Sequence, residues 1–319
     1  MSRKKKQLFI TVLTLGIVIL GTFIYKQFIV DKPKVFVVLW DSKLEYWDIV
    51  KAGAEKGFKD FGMDGKIVVA KNGTAQEQIK ILDDVLKEKP DVLVIAPVHS
   101  EIFPKLEEFY TVDIPVLFIQ TNEKWEKKTA YIGTDNIELG AKEGILMASQ
   151  LQPGEKVALL GRQSSFEVDR LNGARESLEA AGIEIVVESN HLPEGNEKVN
   201  EVVTKEMKSI LQEYPDIKGV VTSSDYVALP ALRVVQEQGV DVTVMGTGGV
   251  LEMLPFVKEG VIPITVSQSP YDMGYLSIET SAKVANGENV NKEIYTSIDI
   301  VTKGNAQQRL EFYQKAIGN

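Results

Sequence analysis

From Lys34 onward, short β-branched and aliphatic runs alternate with longer stretches in which apolar residues recur every three to four positions. Val35-Phe-Val-Val-Leu-Trp40 has the continuous apolar character of a strand buried on both faces. Tyr46 to Phe61 places Trp47, Val50, Ala54 and Phe58 along one face of a helix. The alternation then repeats, with strands predicted at 66–70, 91–96, 115–119 and 130–133 and helices at 74–87, 100–109 and 136–149. Pro153-Gly-Glu155 interrupts the pattern. A second series follows, with strands at 156–160, 184–188, 218–222, 241–245 and 263–267 and helices near 167–181, 196–213, 226–238 and 249–258. Two successive βα series predict an α/β protein of two parallel, doubly wound sheets with helices on both faces.

The first thirty residues follow a different rule. Arg3-Lys-Lys-Lys6 precedes an apolar run from Leu8 to Tyr25, whose roughly 27 Å as a helix matches a hydrocarbon core. Gly21-Thr-Phe-Ile-Tyr25 offers no Ala-x-Ala-like cleavage site, so an uncleaved anchor is expected in preference to a removed signal peptide. With the cations on its N-terminal side, the anchor leaves residues from about 31 onward outside the cytoplasm. Residues 1–30 hold five basic groups and no acidic ones, leaving 31 basic against 45 acidic residues in the remainder. Such a surface repels phosphate backbones, which argues against a nucleic-acid partner. The chain contains no cysteine, which excludes disulfides, thiolate nucleophiles and cysteine-ligated zinc.

Catalytic constellations are scarce. His99 and His191 lack metal-ligand spacing, and no nucleophile elbow or phosphate-binding loop occurs. Gly246-Thr-Gly-Gly249 follows a predicted strand but has Leu251 where a dinucleotide fingerprint needs its last glycine. No cofactor or metal is expected. In doubly wound sheets ligands lie beyond the carboxyl ends of the strands, which selects the loops at 40–47, 96–100, 120–122, 161–170, 222–226, 246–249 and 267–271. They carry binding chemistry. Tyr46 and Trp47 can stack on the apolar face of a ring, although Trp47 also fits a core position. Arg170 offers a planar fork of donors, with a salt bridge to Asp169 or Glu167 as the alternative. Gln268 has the donor and acceptor that sugar hydroxyls require, or serves as a hinge amide.

Over roughly residues 34–303 the sequence resembles the ribose- and xylose-type sugar-binding proteins of bacterial import systems. Gly53-Ala54, Ala96-Pro-Val-His-Ser100, Ile114-Pro-Val116, Gly133-Thr-Asp-Asn136, Arg170-Leu-Asn-Gly173 and Ser224-Asp225 match family motifs in the same order. Asp41-Ser-Lys-Leu-Glu-Tyr-Trp47 is similar to the xylose-type Asp-Leu-Arg-Leu-Glu-Arg-Trp. The resemblance implies two lobes, 34–134 plus 269–298 and 135–268 plus 299–319, following a stub and anchor at 1–33. Three hinge crossings near Asp135, Gln268 and Asp299 join them. It implies a cleft lined by Asp41, Tyr46, Trp47, Gln120, Thr121, Arg170, Ser224, Asp225, Gly248 and Gln268. The chain departs from the pattern where Gln120-Thr121 replaces Asp-Arg, Ser224 replaces an asparagine and Gly248 replaces an aspartate.

The expected function is that of a membrane-anchored solute receptor, with a sugar as its small-molecule ligand. It would close on that ligand and present it to the permease of an ABC transporter. A sensory relative that reports to a membrane histidine kinase is the alternative, because an uncleaved anchor also fixes a sensor's orientation.

Overall fold

The computed structural model describes Gly16 and residues 32–42, 44–192 and 196–318. Apart from Gly16, the expected anchor at 8–25 lies outside the described residues. Among the described residues, no helix is long and apolar enough to cross a membrane.

The first half builds a sheet from β1 (Lys34–Leu39), β2 (Asp64–Val69), β3 (Val92–Ile95), β4 (Val116–Ile119) and β5 (Ala130–Gly133). Between them run α1 (Glu45–Phe61), α2 (Ala75–Lys87) and α3 (Phe103–Thr111). All strand pairs in this sheet are parallel. Side-chain alternation sends Val35, Val37 and Leu39 into one core and Phe36 and Val38 into the other, so β1 is apolar throughout. Thr74 caps α2 by accepting a hydrogen bond from the Glu77 N–H at 3.3 Å, as a Thr-x-x-Glu start predicts.

The second half follows α4 (Asn136–Ala148) with β6 (Lys156–Arg162), α5 (Ser165–Ala180), β7 (Glu184–Leu192), α6 (Asn196–Glu213), β8 (Ile217–Thr222), α7 (Asp225–Gln238) and β9 (Thr243–Met245). Strands β7-β6-β8-β9 form a parallel four-stranded sheet. This half departs from a single doubly wound sheet. After Gly246 the chain starts a separate three-stranded sheet from β10 (Thr247–Gly248), β11 (Ile264–Ser267) and β13 (Asp299–Thr302), with β13 antiparallel. The helix expected at 249–258 begins only at Leu254, as α8 (Leu254–Glu259). Gly249 adopts φ +67°, a left-handed conformation that a helix cannot start from.

The remaining elements tie the halves together. α9 (Pro270–Ala285) returns to pack on α1, and β12 (Glu293–Tyr295) adds to the edge of the first sheet beside β5. The chain then enters β13, and α10 (Ala306–Ile317) closes against α8 and α1. Ile49 of α1 consequently shares a core with Val301, Ala306 and Tyr313.

Two glycine-mediated helix crossings hold the site-bearing segments. A Cβ on Gly53 would lie 1.9 Å from the Tyr271 carbonyl oxygen, and one on Gly274 would lie 2.0 Å from that of Val50, so α1 and α9 touch backbone to backbone. Gly140 and Gly173 do the same for α4 and α5, with a Gly140 Cβ falling 1.8 Å from the Arg170 carbonyl oxygen. α1 begins at the Tyr46–Trp47 pair and α5 carries Arg170. Both crossings therefore position candidate binding residues through rigid contacts.

Candidate functional site

The strand order reverses about β1 and β3 in the first sheet and about β6 and β8 in the second. The loops following these strands hold Trp40 to Trp47, Ala96 to Ser100, Gly161 to Arg170 and Thr222 to Tyr226, where the topology directs a ligand.

Arg170, on α5, is 4% exposed. Its Nε donates to Asn136 Oδ1 and its Nη1 to the Ser223 carbonyl oxygen, both at 2.9 Å. The Phe166 ring centroid lies 5.0 Å from its guanidinium carbon. Neither Asp169 nor Glu167 forms the alternative salt bridge. Glu167, fully buried, instead takes a fork from Arg162 at 2.6–3.0 Å and the Ser223 hydroxyl at 3.0 Å. Burial lowers the Arg170 pKa from its ordinary value, opposed first by Glu167 and then by Tyr46.

Asp225 lies below this layer, with no exposed surface. Its carboxylate accepts the Val250 N–H at 2.9 Å and the Thr265 hydroxyl at 3.2 Å, so its oxygens are engaged within the protein. Burial raises its pKa from 3.8 to about 6, against the pull of the Val250 and Gly249 amides. Glu143 on α4 is 1% exposed, and its carboxyl oxygens have no well-aligned hydrogen-bond partner, only the Thr222 backbone nearby. Burial, reinforced by Asp225, pushes its carboxyl well above the ordinary range, while Arg170 pulls it back. Ser224 starts α7 without capping it, and its hydroxyl faces Arg162 Nη2 at 3.4 Å. Gly248 adopts φ +136°, and a Cβ there would stand 3.2 Å from Asp225 Oδ2.

On the first-lobe side, Trp47 is buried in the core, with Trp40 and Tyr46 edge-on to it at centroid distances of 5.4 and 5.1 Å. Asp41 is partly buried just beyond β1. Gln120 follows β4 at φ +65°, a conformation uncommon outside glycine and strained for most side chains. It is held there by the Ile132 carbonyl, which accepts its N–H at 3.0 Å, and by the Tyr131 hydroxyl, which donates to its carbonyl at 3.0 Å. The Thr121 hydroxyl donates to the Gln120 side-chain oxygen.

The two sides meet through polar contacts. The Tyr46 hydroxyl donates to Gln268 Oε1 at 3.0 Å, and Gln268 is 3% exposed. At the rim, the Ser165 hydroxyl donates to Glu123 at 3.2 Å. Of the hinge candidates, Asp135 caps α4 through the Glu138 N–H at 3.0 Å, and Asp299 pairs with Arg309.

Several participants lie in segments the sequence selected but were not singled out as site residues. Asn136 and Ser223 orient Arg170, Arg162 and Glu167 form the neighbouring ion pair, and Trp40 completes the aromatic cluster. The Gly133-Thr-Asp-Asn136 motif and the strand-end segments at 40–47, 161–170 and 222–226 were the signals that could have found them. A further pattern concerns buried polar atoms that lack a protein partner. Trp40 and Trp47 Nε1, Asn122 Oδ1 and Ser164 Oγ all lie in or bordering the loops beyond β1, β4 and β6. Such atoms are rare in folded proteins unless a ligand or water completes them.

Residues 35–289 match the family described as periplasmic binding protein domain. The chain is 28% identical over 268 residues to the ribose import binding protein RbsB of Bacillus subtilis, covering 80% of this chain and 82% of that protein. Among solved structures, a periplasmic ribose ABC transporter protein from Conexibacter woesei superposes with a TM-score of 0.80 at 22% identity, over 88% of this chain and 95% of the other. A solute-binding protein from Actinobacillus succinogenes with bound D-allose gives 0.78 at 22% identity, over 87% and 100%.

Proposed function

The chain belongs to the periplasmic binding protein domain family, and from that premise we propose that it is an extracytoplasmic sugar-binding protein that closes on its ligand and delivers it to an ABC permease. An uncleaved helix at residues 8–25 holds it in the membrane, with the N-terminus cytoplasmic. The lobes comprise 34–134 plus 269–298 and 135–268 plus 299–319, hinged at Asp135, Gln268 and Asp299. Tyr46, Gln120, Thr121, Arg170, Ser224 and Gln268 line the cleft, Asp41 and Gly248 border it, and Trp47 and Asp225 brace it from behind.

The observation that carries this reading is the placement of unpaired buried polar atoms on the strand-end loops of both sheets. A polyhydroxylated ligand supplies partners for indole N–H donors and for amide and hydroxyl acceptors alike. The relatives named above are import and binding proteins, so the protein binds and releases its ligand without catalysing a reaction. The signalling alternative has no such support.

The test is a thermal-shift screen of the full-length chain in detergent against pentoses, hexoses, polyols and nucleosides. A ligand at 100 times its Kd stabilises the native state by about 2.7 kcal/mol. A screen in which no sugar or polyol raises the melting temperature overturns the sugar reading. Fractionation tests the anchor separately, because mature protein that begins near residue 22–32 and washes off membranes excludes it.

A further inference from the structure

Buried cations in proteins are normally paired with carboxylates, because removing an isolated charge from water costs several kcal/mol. Arg162 obeys this rule through Glu167. Arg170 does not. Among the described residues, no carboxylate oxygen lies within 4.0 Å of its guanidinium, although the side chain is almost fully buried. Both of its hydrogen bonds go to uncharged acceptors, Asn136 Oδ1 and the Ser223 carbonyl, and Nη2 makes none.

The neighbouring acids make their hydrogen bonds elsewhere. Glu167 is held by Arg162 and the Ser223 hydroxyl, and Asp225 by the Val250 amide and Thr265. Glu143 is sealed from solvent, and burial, reinforced by Asp225, pushes its carboxyl well above the ordinary range. Across the cleft, Gln120 and Thr121 are uncharged. The site therefore presents one fork of donors, fixed at Nε and Nη1, whose charge no contacting group balances.

We propose that the ligand carries a carboxylate that pairs with Arg170, making it an acidic sugar such as an aldonate or uronate. The proposal rests on the sugar-binding reading above and names its substrate class. A monoanion fits better than a phosphate ester, because a phosphate would bring nearly two charges to the Arg170 cation with Asp225 close behind. The planar guanidinium presents paired donors in the geometry a carboxylate accepts.

Titration calorimetry on the full-length chain in detergent at pH 7 tests this with matched pairs: D-ribonate against D-ribose, D-gluconate against D-glucose and D-galacturonate against D-galactose. At least one acid should bind 10-fold or more tightly than its neutral counterpart. A charge-assisted bond to a buried guanidinium is worth roughly 10- to 150-fold, so Arg170→Gln should remove that preference. Arg170→Lys, which keeps the charge without the fork, should restore part of it. Should Arg170→Gln fail to fold, the wild-type ratio of acid to neutral affinity still decides. A neutral sugar that binds more tightly than its acid overturns the carboxylate proposal and leaves the sugar reading intact. Binding of neither series overturns both, and an acid preference that survives in Arg170→Gln overturns the assignment to Arg170.

Discussion

Replacing Gly140 with alanine tests whether the backbone contact between α4 and α5 sets the position of Arg170. The added Cβ would fall 1.8 Å from the Arg170 carbonyl oxygen, where ordinary contact begins at 3.4 Å. The helices would have to separate by about 1.6 Å, the difference between those two distances. Two effects oppose each other. Alanine in a helix interior gains up to about 1 kcal/mol over glycine, whereas overpacking costs about 1–3 kcal/mol and sometimes more. The clash is with backbone, which cannot rotate away, so the upper end applies and the net loss should be about 2 kcal/mol. For a protein of this size that lowers the melting temperature by roughly 3 °C. Differential scanning calorimetry reads the shift, and calorimetric titration with the bound sugar reads the displaced guanidinium as weakened affinity. A Gly140→Ala variant as stable as wild type, with unchanged affinity, refutes the claim that this crossing is tight and positions the site.

Other expectations follow from neighbouring features. Asp225 is more basic in the folded state, at about 6 against 3.8, so the proton it retains stabilises the fold at low pH and that contribution is lost as pH rises towards 6. The melting temperature of Asp225→Asn minus that of wild type should accordingly increase between pH 4 and 6, and a flat difference contradicts the assignment. Glu143→Leu exchanges an unpartnered buried carboxyl for an apolar side chain of similar volume and should stabilise the protein by about 1–3 kcal/mol; urea denaturation showing a loss would mean the carboxyl is satisfied. Gln120→Val places a β-branched residue at φ +65° and should destabilise by about 1–3 kcal/mol, while Gln120→Asn, which tolerates that conformation, should stay within about 1 kcal/mol of wild type. Tyr46→Phe removes the hydroxyl that donates to the buried Gln268 side chain and should weaken sugar affinity about 2- to 10-fold, measured by titration calorimetry, and lower the melting temperature of the free protein as Gln268 Oε1 loses its donor.

By itself the sequence determined the alternation of strands and helices up to residue 245, because burial on both faces of a parallel strand demands a continuous apolar run and a covering helix demands a three-to-four repeat. It also determined which loops follow strand ends, and thereby the candidacy of Tyr46, Gln120, Arg170 and Gln268. The end of the chain was less legible. β12 and β13 span three and four residues and are half-exposed, too short to show a period, and their partners β5 and β11 lie far away in sequence. Only the tertiary structure decided that Arg170 bonds Asn136 and Ser223 in place of its sequence neighbours Glu167 and Asp169. The strained backbone of Gln120 likewise needs the Ile132 and Tyr131 contacts that hold it. Local pattern reports which face of an element is buried. The choice among hydrogen-bond partners at a strand end depends on which loops the sheet order brings together, and no stretch of sequence encodes that alone.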